Sequence, residues 1–157
     1  MKILLLAVGT TTDENMKNQI QSFTTRLSHY VDFKYIEIPN KKKSNKLTIS
    51  EFKNFESEML EKNILKGDHI ILLDEKGKSY TSVEFSKKIE GFMINSYKRI
   101  VFVIGGAHGF TNQIYNLAND KLSLSKMTFS HQMIRLFFVE QLYRAFTIIK
   151  NEKYHNQ

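Results

Sequence analysis

Apolar residues in this chain follow two different periods. Short apolar-rich runs occur at Ile3 to Val8, His69 to Asp74 and Ile100 to Ile104, and Val31 to Ile38 is apolar enough for a further one. Runs of that length, rich in β-branched residues, predict strands buried on both faces. Between them the spacing changes to three and four. Met16, Ile20, Phe23, Leu27 and Tyr30 form one such stripe. Phe52, Phe55 and Met59 form a second, and Val83, Phe85, Ile89 and Met93 a third. Each predicts one face of an amphipathic helix. Thr48 to Glu51 and Thr81 to Glu84 have the spacing of capping boxes, which start helices.

The segments between these elements are polar. Asn40 to Lys46 carries four lysines and no apolar residue, and is predicted to be an exposed loop. Glu75-Lys76-Gly77-Lys78 is predicted to turn out of the third strand. Thr111 is placed to cap a short helix through Asn119, and Leu122 to Ser125 is predicted to be a short fifth strand. From His131 to Lys150 runs the longest helix, about 30 Å at 1.5 Å per residue. Ile134, Phe137, Phe138, Leu142, Ala145, Phe146 and Ile149 make it apolar over more than one stripe, so it needs cover on two sides. A sheet supplies one side, and the second predicts a partner subunit. Strands alternating with helices give an α/β fold, one domain over residues 1–157, with a mainly parallel sheet and helices on both faces.

Composition narrows the class. At 157 residues and 41% hydrophobic, the chain is long and apolar enough for one core, which argues against disorder. No apolar run reaches the roughly 20 residues of a membrane span. The opening run ends in Gly9 and is too short for a signal peptide, so it is expected to be a strand. There is no cysteine. That excludes disulfides, thiolate zinc sites and cysteine nucleophiles, and fits a cytoplasmic protein. The net charge is +7, which favours a polyanionic partner such as RNA or DNA.

The fourth strand breaks off into Gly105-Gly106-Ala107-His108-Gly109. Paired glycines at a strand end let backbone approach a ligand closely, because no Cβ intervenes. In open α/β sheets ligands sit outside the carboxyl ends of the strands. The predicted site is therefore a cleft at Gly105, floored by the segment around Ser125. The glycine spacing is neither the dinucleotide fingerprint nor a phosphate-cradling loop. No histidine pair has zinc-site spacing, so no metal is expected, and no Gly-x-Ser-x-Gly elbow occurs. His108, inside the glycine loop, is a candidate ligand contact. The residues leave two classes open: a transferase that acts on RNA with an organic cofactor, or a non-catalytic α/β domain that binds a small molecule.

Three stretches resolve that choice by resemblance: Phe102 to Gly109, Leu122 to Phe129, and His131 to Arg135. Ala7-Val8-Gly9, Glu37-Ile38-Pro39, Glu140 to Ala145 and Tyr154-His155 extend the match over the whole chain. The sequence resembles the RlmH ribosomal RNA methyltransferases, small members of the SPOUT class. The resemblance implies methyl transfer from S-adenosylmethionine to N3 of a pseudouridine in 23S rRNA of the ribosome. It also implies a homodimer, no DNA partner, and a C-terminal trefoil knot, a topology that periodicity cannot reveal. Carried over by motif, the cofactor contacts fall on Leu73, Gly105, Leu124, Ser125, Lys126, Met127, Thr128 and Phe129.

An imide nitrogen becomes a good nucleophile as its proton leaves, so a general base is expected. His155 is the first candidate and His131 the second. Tyr154 is expected to stack on an unpaired base. Arg135, one helical turn after His131, is expected to bind phosphate or stabilise the developing anion. Two departures from the family pattern stand out. Asn156 replaces a basic residue after Tyr154-His155. Ser130 and Gln132 replace prolines around His131, which is expected to loosen that turn.

Overall fold

A computed structural model describes residues 1–39 and 48–154. The lysine-rich loop expected at 40–46 and the tail residues 155–157, His155 included, lie outside the described residues.

Five strands, β1 (Lys2–Val8), β2 (Asp32–Ile38), β3 (His69–Ser79), β4 (Arg99–Ile104) and β5 (Asp120–Ser123), form one sheet in the order β2-β1-β4-β3-β5. Every neighbouring pair is parallel. Side chains alternate between the two faces as the strand period requires. Ile3, Leu5 and Ala7 of β1 join Ile100, Phe102 and Ile104 of β4 in one apolar cluster. Leu4, Leu6 and Val8 join Val101 and Val103 in the other.

Helices α1 (Glu14–Leu27), α3 (Ser82–Ile94) and α5 (His131–Ile149) pack on the first face, through Ile20, Phe85, Ile89 and Phe138 among others. Helices α2 (Ile49–Glu61) and α4 (Asn112–Leu117) cover the second, through Leu60 and Ile114. The expected α/β class with helices on both faces is the observed one. Both predicted capping boxes form: Thr48 with Glu51 opens α2, and Thr81 with Glu84 opens α3.

Several local expectations are corrected. Glu75 to Lys78 does not leave the sheet; β3 continues through it, and Lys78 and Ser79 pair with Leu122 and Ser123. Gly77 permits this, because a Cβ there would lie 2.6 Å from the backbone nitrogen of Leu122. The fifth strand begins two residues earlier than expected and ends at Ser123. On α3 the buried face carries Phe92, while Met93 is exposed. On α2 the most buried residues are Glu56, Ser57 and Leu60, and Phe52, Phe55 and Met59 are only half-buried.

Helix α5 is the largest correction. Most of its broad apolar surface is covered within the chain, by the sheet on one side and by α1 and α3 along its flanks, and Met133 and Phe137 are left exposed. Two-sided cover therefore does not by itself require a partner subunit. Phe138 is fully buried and touches the rings of Phe85 and Phe102, whereas Phe137 is 38% exposed and packs on Phe129. The two neighbours should respond differently to mutation. Phe138→Ala is expected to cost about 3–5 kcal/mol in urea unfolding. Phe137→Ala is expected to cost well under half of that, and equal losses would contradict the packing described.

Ser130 and Gln132 do not loosen the start of α5. The Ser130 hydroxyl accepts from the Met133 N–H and caps the helix. The Gln132 carboxamide accepts from the N–H groups of Thr12 and Asp13 at 2.9 and 3.1 Å, and donates to the Thr12 hydroxyl at 3.0 Å. These bonds tie the helix start to the segment leaving β1.

Candidate active site

The carboxyl ends of β4 and β5 and the middle of β3 open into a cleft of about 370 Å³, within the size range of small-molecule sites. Leu73 and Asp74 come from β3, Ile104 and Gly105 from the end of β4, and Leu122 to Ser125 from the end of β5. Met127, Thr128 and Phe129 close one side, with His131 and Ile134 from the first turn of α5. The fold gathers these residues because β5 lies outside β3, so the loop leaving β5 returns across the strand ends toward α5.

The loop after β5 is irregular yet locally ordered. The Met127 N–H donates to the Ser125 hydroxyl at 2.9 Å, and the Ser123 hydroxyl donates to the Ser125 carbonyl at 3.0 Å. The N–H groups of Leu124, Lys126, Thr128 and Phe129 have no hydrogen-bond partner among the described residues. Backbone donors beside leucine and phenylalanine walls suit a flat heteroaromatic ligand, held by its faces and read at its edges.

The glycine turn works differently from the sequence expectation. A Cβ on Gly105 would lie 2.9 Å from the Phe110 ring, itself a wall of the cleft. The turn is closed by the Gly109 N–H donating to the Gly106 carbonyl at 3.1 Å. Gly109 takes a φ of +70°, which favours glycine. The glycines therefore let Phe110 fold beneath the loop and shape the cleft.

The opposite wall carries the charged residues Asp74, Glu75 and Lys76. Tyr115 donates to Asp74 Oδ2 at 2.6 Å, and the Lys76 N–H donates to Oδ1 at 2.8 Å. Burial and the hydrogen bond to Asp74 push the Tyr115 hydroxyl up to about 12, so it stays a donor at neutral pH. Asp74 and Glu75 both line the cleft.

Of the residues singled out from sequence, Leu73, Gly105, Leu124, Ser125, Met127, Thr128 and Phe129 meet in this cleft, and Lys126 and His108 are not among its lining residues. His108 instead lies edge-on to Phe52, their ring centroids 6.0 Å apart. Asp74, Phe110, Tyr115 and Ile134 line the cleft without having been singled out. Asp74 could have been found from its place at the predicted end of a strand. Tyr115, on a short helix, carried no such signal.

Arg135 does not face RNA. It is 1% exposed, and Nη2 donates to the Val8 carbonyl at 2.8 Å. Nη1 donates to the Thr11 hydroxyl at 2.8 Å and to Glu37 Oε1 at 3.2 Å. Glu37 also accepts from Tyr35 and from the Thr11 N–H and hydroxyl. Burial alone would raise the Glu37 carboxyl, but the Thr11 and Tyr35 bonds and the Arg135 charge outweigh it and hold it below the usual range. The expected contact of Arg135 with phosphate gives way to a tie between α5 and the ends of β1 and β2.

Tyr154 rests on α5. Its hydroxyl donates to Glu140 Oε1 at 3.1 Å, and the Arg144 guanidinium lies 4.8 Å from its ring centroid. Glu140 is nine residues beyond His131, about 14 Å along the helix axis, so Tyr154 sits well away from the cleft of its own chain. Among the described residues, no group of three or more histidine or acidic side chains is placed to hold a metal ion, and no helix is long and apolar enough to cross a membrane.

The chain is thus an α/β protein with a parallel sheet and a cleft at the sheet's carboxyl edge, walled by an irregular loop between the last strand and the last helix. A family model described as "Predicted SPOUT methyltransferase" matches residues 1–155, and the chain belongs to that family. It is 48% identical over 157 residues to the ribosomal RNA large subunit methyltransferase H of Phocaeicola vulgatus, and 46% identical to that of Christiangramia forsetii. Both alignments cover the full length of both chains. The protein of the same name from Cytophaga hutchinsonii is 47% identical over 156 residues, 99% of this chain and all of the relative.

Proposed function

We propose that this protein transfers a methyl group from S-adenosylmethionine to a base of large-subunit ribosomal RNA. The observation that carries the reading is the meeting, in one cleft, of Leu73, Gly105 and the 124–129 loop in a chain of the SPOUT methyltransferase family. Its relatives' names supply the substrate class. The finer reading is N3 of a pseudouridine, in the ribosome or its large subunit, with the enzyme working as a cytoplasmic homodimer.

The cleft fits S-adenosylmethionine. Leucine and phenylalanine side chains offer faces for the adenine ring, the free N–H groups of the 124–129 loop offer donors for its edges, and Asp74 and Glu75 offer counter-charge to a cation. When bound, that cofactor supplies an already activated methyl group on its sulfonium. The chain's task is then alignment of donor with acceptor, the proximity contribution to rate. The 124–129 loop and Leu73 would hold the cofactor, and Phe110 would keep the glycine turn in place beneath it. A base is still needed for the acceptor N–H. His131, which lines the cleft, and His155 in the tail are the two candidates.

A homodimer accounts for the separation between cleft and tail, because a tail docked on one chain's α5 could serve the partner's cleft. Met133 and Phe137, one helical turn apart, form an exposed apolar strip on α5, and Met127 in the neighbouring loop is 77% exposed. The trefoil knot belongs to the same reading. Its support is membership of the SPOUT methyltransferase family.

Calorimetry tests the first step. Wild-type protein is expected to bind S-adenosylmethionine without added metal, and Gly105→Val to lose at least tenfold in affinity by displacing Phe110. Unchanged affinity in that variant would remove the glycine turn from the site. No binding by a folded wild type would favour a domain that holds some other small molecule.

A further inference from the structure

On the face of the glycine turn away from the cleft lies a carboxylic acid that the proposed chemistry does not use. Glu56 is on the buried side of α2, 5% exposed, among Val8, Leu60, Phe110 and the glycines of the turn. Its Oε1 has no hydrogen-bond partner among the described residues. A Cβ on Gly106 would lie 2.6 Å from Oε2, so the carboxyl is seated directly against the Gly106 backbone. Lys53, one turn earlier on α2, is the charged neighbour around this pocket; β1 and the glycine turn contribute only uncharged groups to it. His108 faces Phe52 instead. No ion pair joins Lys53 to Glu56 among the described residues.

We propose that Glu56 is a positioning residue for the 105–109 turn: its buried carboxyl supports Gly106 from beneath and so fixes the cleft wall that receives the cofactor. This rests on the cofactor reading above. A buried, unpaired carboxylate is costly, whereas the neutral acid tolerates close contact with a peptide group. Burial accordingly pushes this carboxyl up to about 7, against a smaller opposing pull from Lys53. Once ionised, Glu56 needs donors. The N–H groups of Gly106, Ala107 and His108, in the turn that Glu56 supports, have no partner among the described residues and are the donors a shifted turn would offer. Recruiting them, or admitting water, moves the turn.

The sign follows. The turn geometry described here favours the protonated acid, so it is fully supported below the ordinary carboxyl range and lost as pH rises through about 7. A ligand that needs this geometry binds more weakly above that point.

Two measurements test this. In the ligand-free protein, carbon-13 NMR should show the Glu56 carboxyl titrating near 7, with the Gly106 amide moving at the same midpoint. Its resonance is assigned by its loss in Glu56→Gln. Second, the Kd for S-adenosylhomocysteine should rise on the order of three- to tenfold between about pH 6 and about pH 9, the coupling of a single proton. Glu56→Gln keeps the shape without the charge and should flatten that profile at the low-pH affinity. Glu56→Ala should bind weakly at every pH. Glu56 titrating near 4.5 with a stationary Gly106 amide would overturn the proposal, as would a Gln variant that keeps the wild-type profile. Failure to bind S-adenosylhomocysteine at any pH would instead fault the cofactor reading, and the NMR titration would still decide the role of Glu56.

Discussion

Arg135→Ala is expected to remove a large part of the protein's stability rather than to weaken RNA binding selectively. The guanidinium joins three elements of the chain: α5, the Val8 carbonyl at the end of β1, and Glu37 near the end of β2. Alanine would leave a void and strip Glu37 of its charge partner. Breaking a buried pair from one side costs about 3–5 kcal/mol, against a total stability of about 5–15 kcal/mol for a domain. Arg135→Lys should recover only part of the loss, because an ammonium lacks the flat fork that reaches Val8, Thr11 and Glu37 together. Urea titration followed by circular dichroism checks this. A stable variant whose only defect was weaker, salt-sensitive ribosome binding would restore the phosphate role.

The same cluster predicts acid sensitivity. Glu37 is held below its ordinary range in the folded protein. The stability it contributes is present above the unfolded carboxyl value and is lost as pH falls through the folded one. Glu37→Gln should be less stable than wild type at neutral pH and lose less on acidification.

The second large effect belongs to the tail. Truncation after Glu152 is expected to leave the fold and S-adenosylmethionine affinity intact while methyl transfer to ribosomes falls by a factor on the order of 10² or more, the low end of what a positioned base contributes. Truncation removes the Tyr154 hydrogen bond to Glu140 and the ring's contact with Arg144, both on an exposed surface and worth little to stability. Tyr30 still donates to Glu152 at 2.6 Å, so the chain up to that residue stays anchored to the turn that follows α1. His155→Ala alone should reproduce most of the loss if it supplies the base. Mixing truncated chains with cleft-disabled chains should restore activity if the tail serves the partner subunit. Full activity after truncation would move the base to His131.

Where the sequence was readable, the signal was local. Buried strands announced themselves because both faces of β1 and β4 are covered, which forces continuous apolar runs. Capping boxes at Thr48 and Thr81 were legible because the cap is a bond between residues three apart. The site at Gly105 could be inferred from strand-end geometry, and the 124–129 segment from its resemblance to a family. Non-local facts were hidden. That Glu75 to Lys78 continues β3 depends on β5 lying beside it, some forty residues later. That Arg135 is buried depends on Glu37 and Thr11 waiting beneath a helix that begins about a hundred residues further on. That Glu56 rather than Phe52 faces inward reverses hydrophobic patterning at one position, and it does so beside the proposed site, where such reversals carry function.

Methylation of large-subunit rRNA by this cleft can be read from methyl transfer itself. Ribosomes from a strain lacking this chain are incubated with the purified protein and methyl-labelled S-adenosylmethionine, and the rRNA is digested and analysed by mass spectrometry. Label is expected on a single pseudouridine of the large-subunit rRNA, and strongly reduced when Gly105→Val replaces wild type. Folded protein that leaves the rRNA unlabelled, or that labels only the small subunit, would contradict the proposed activity.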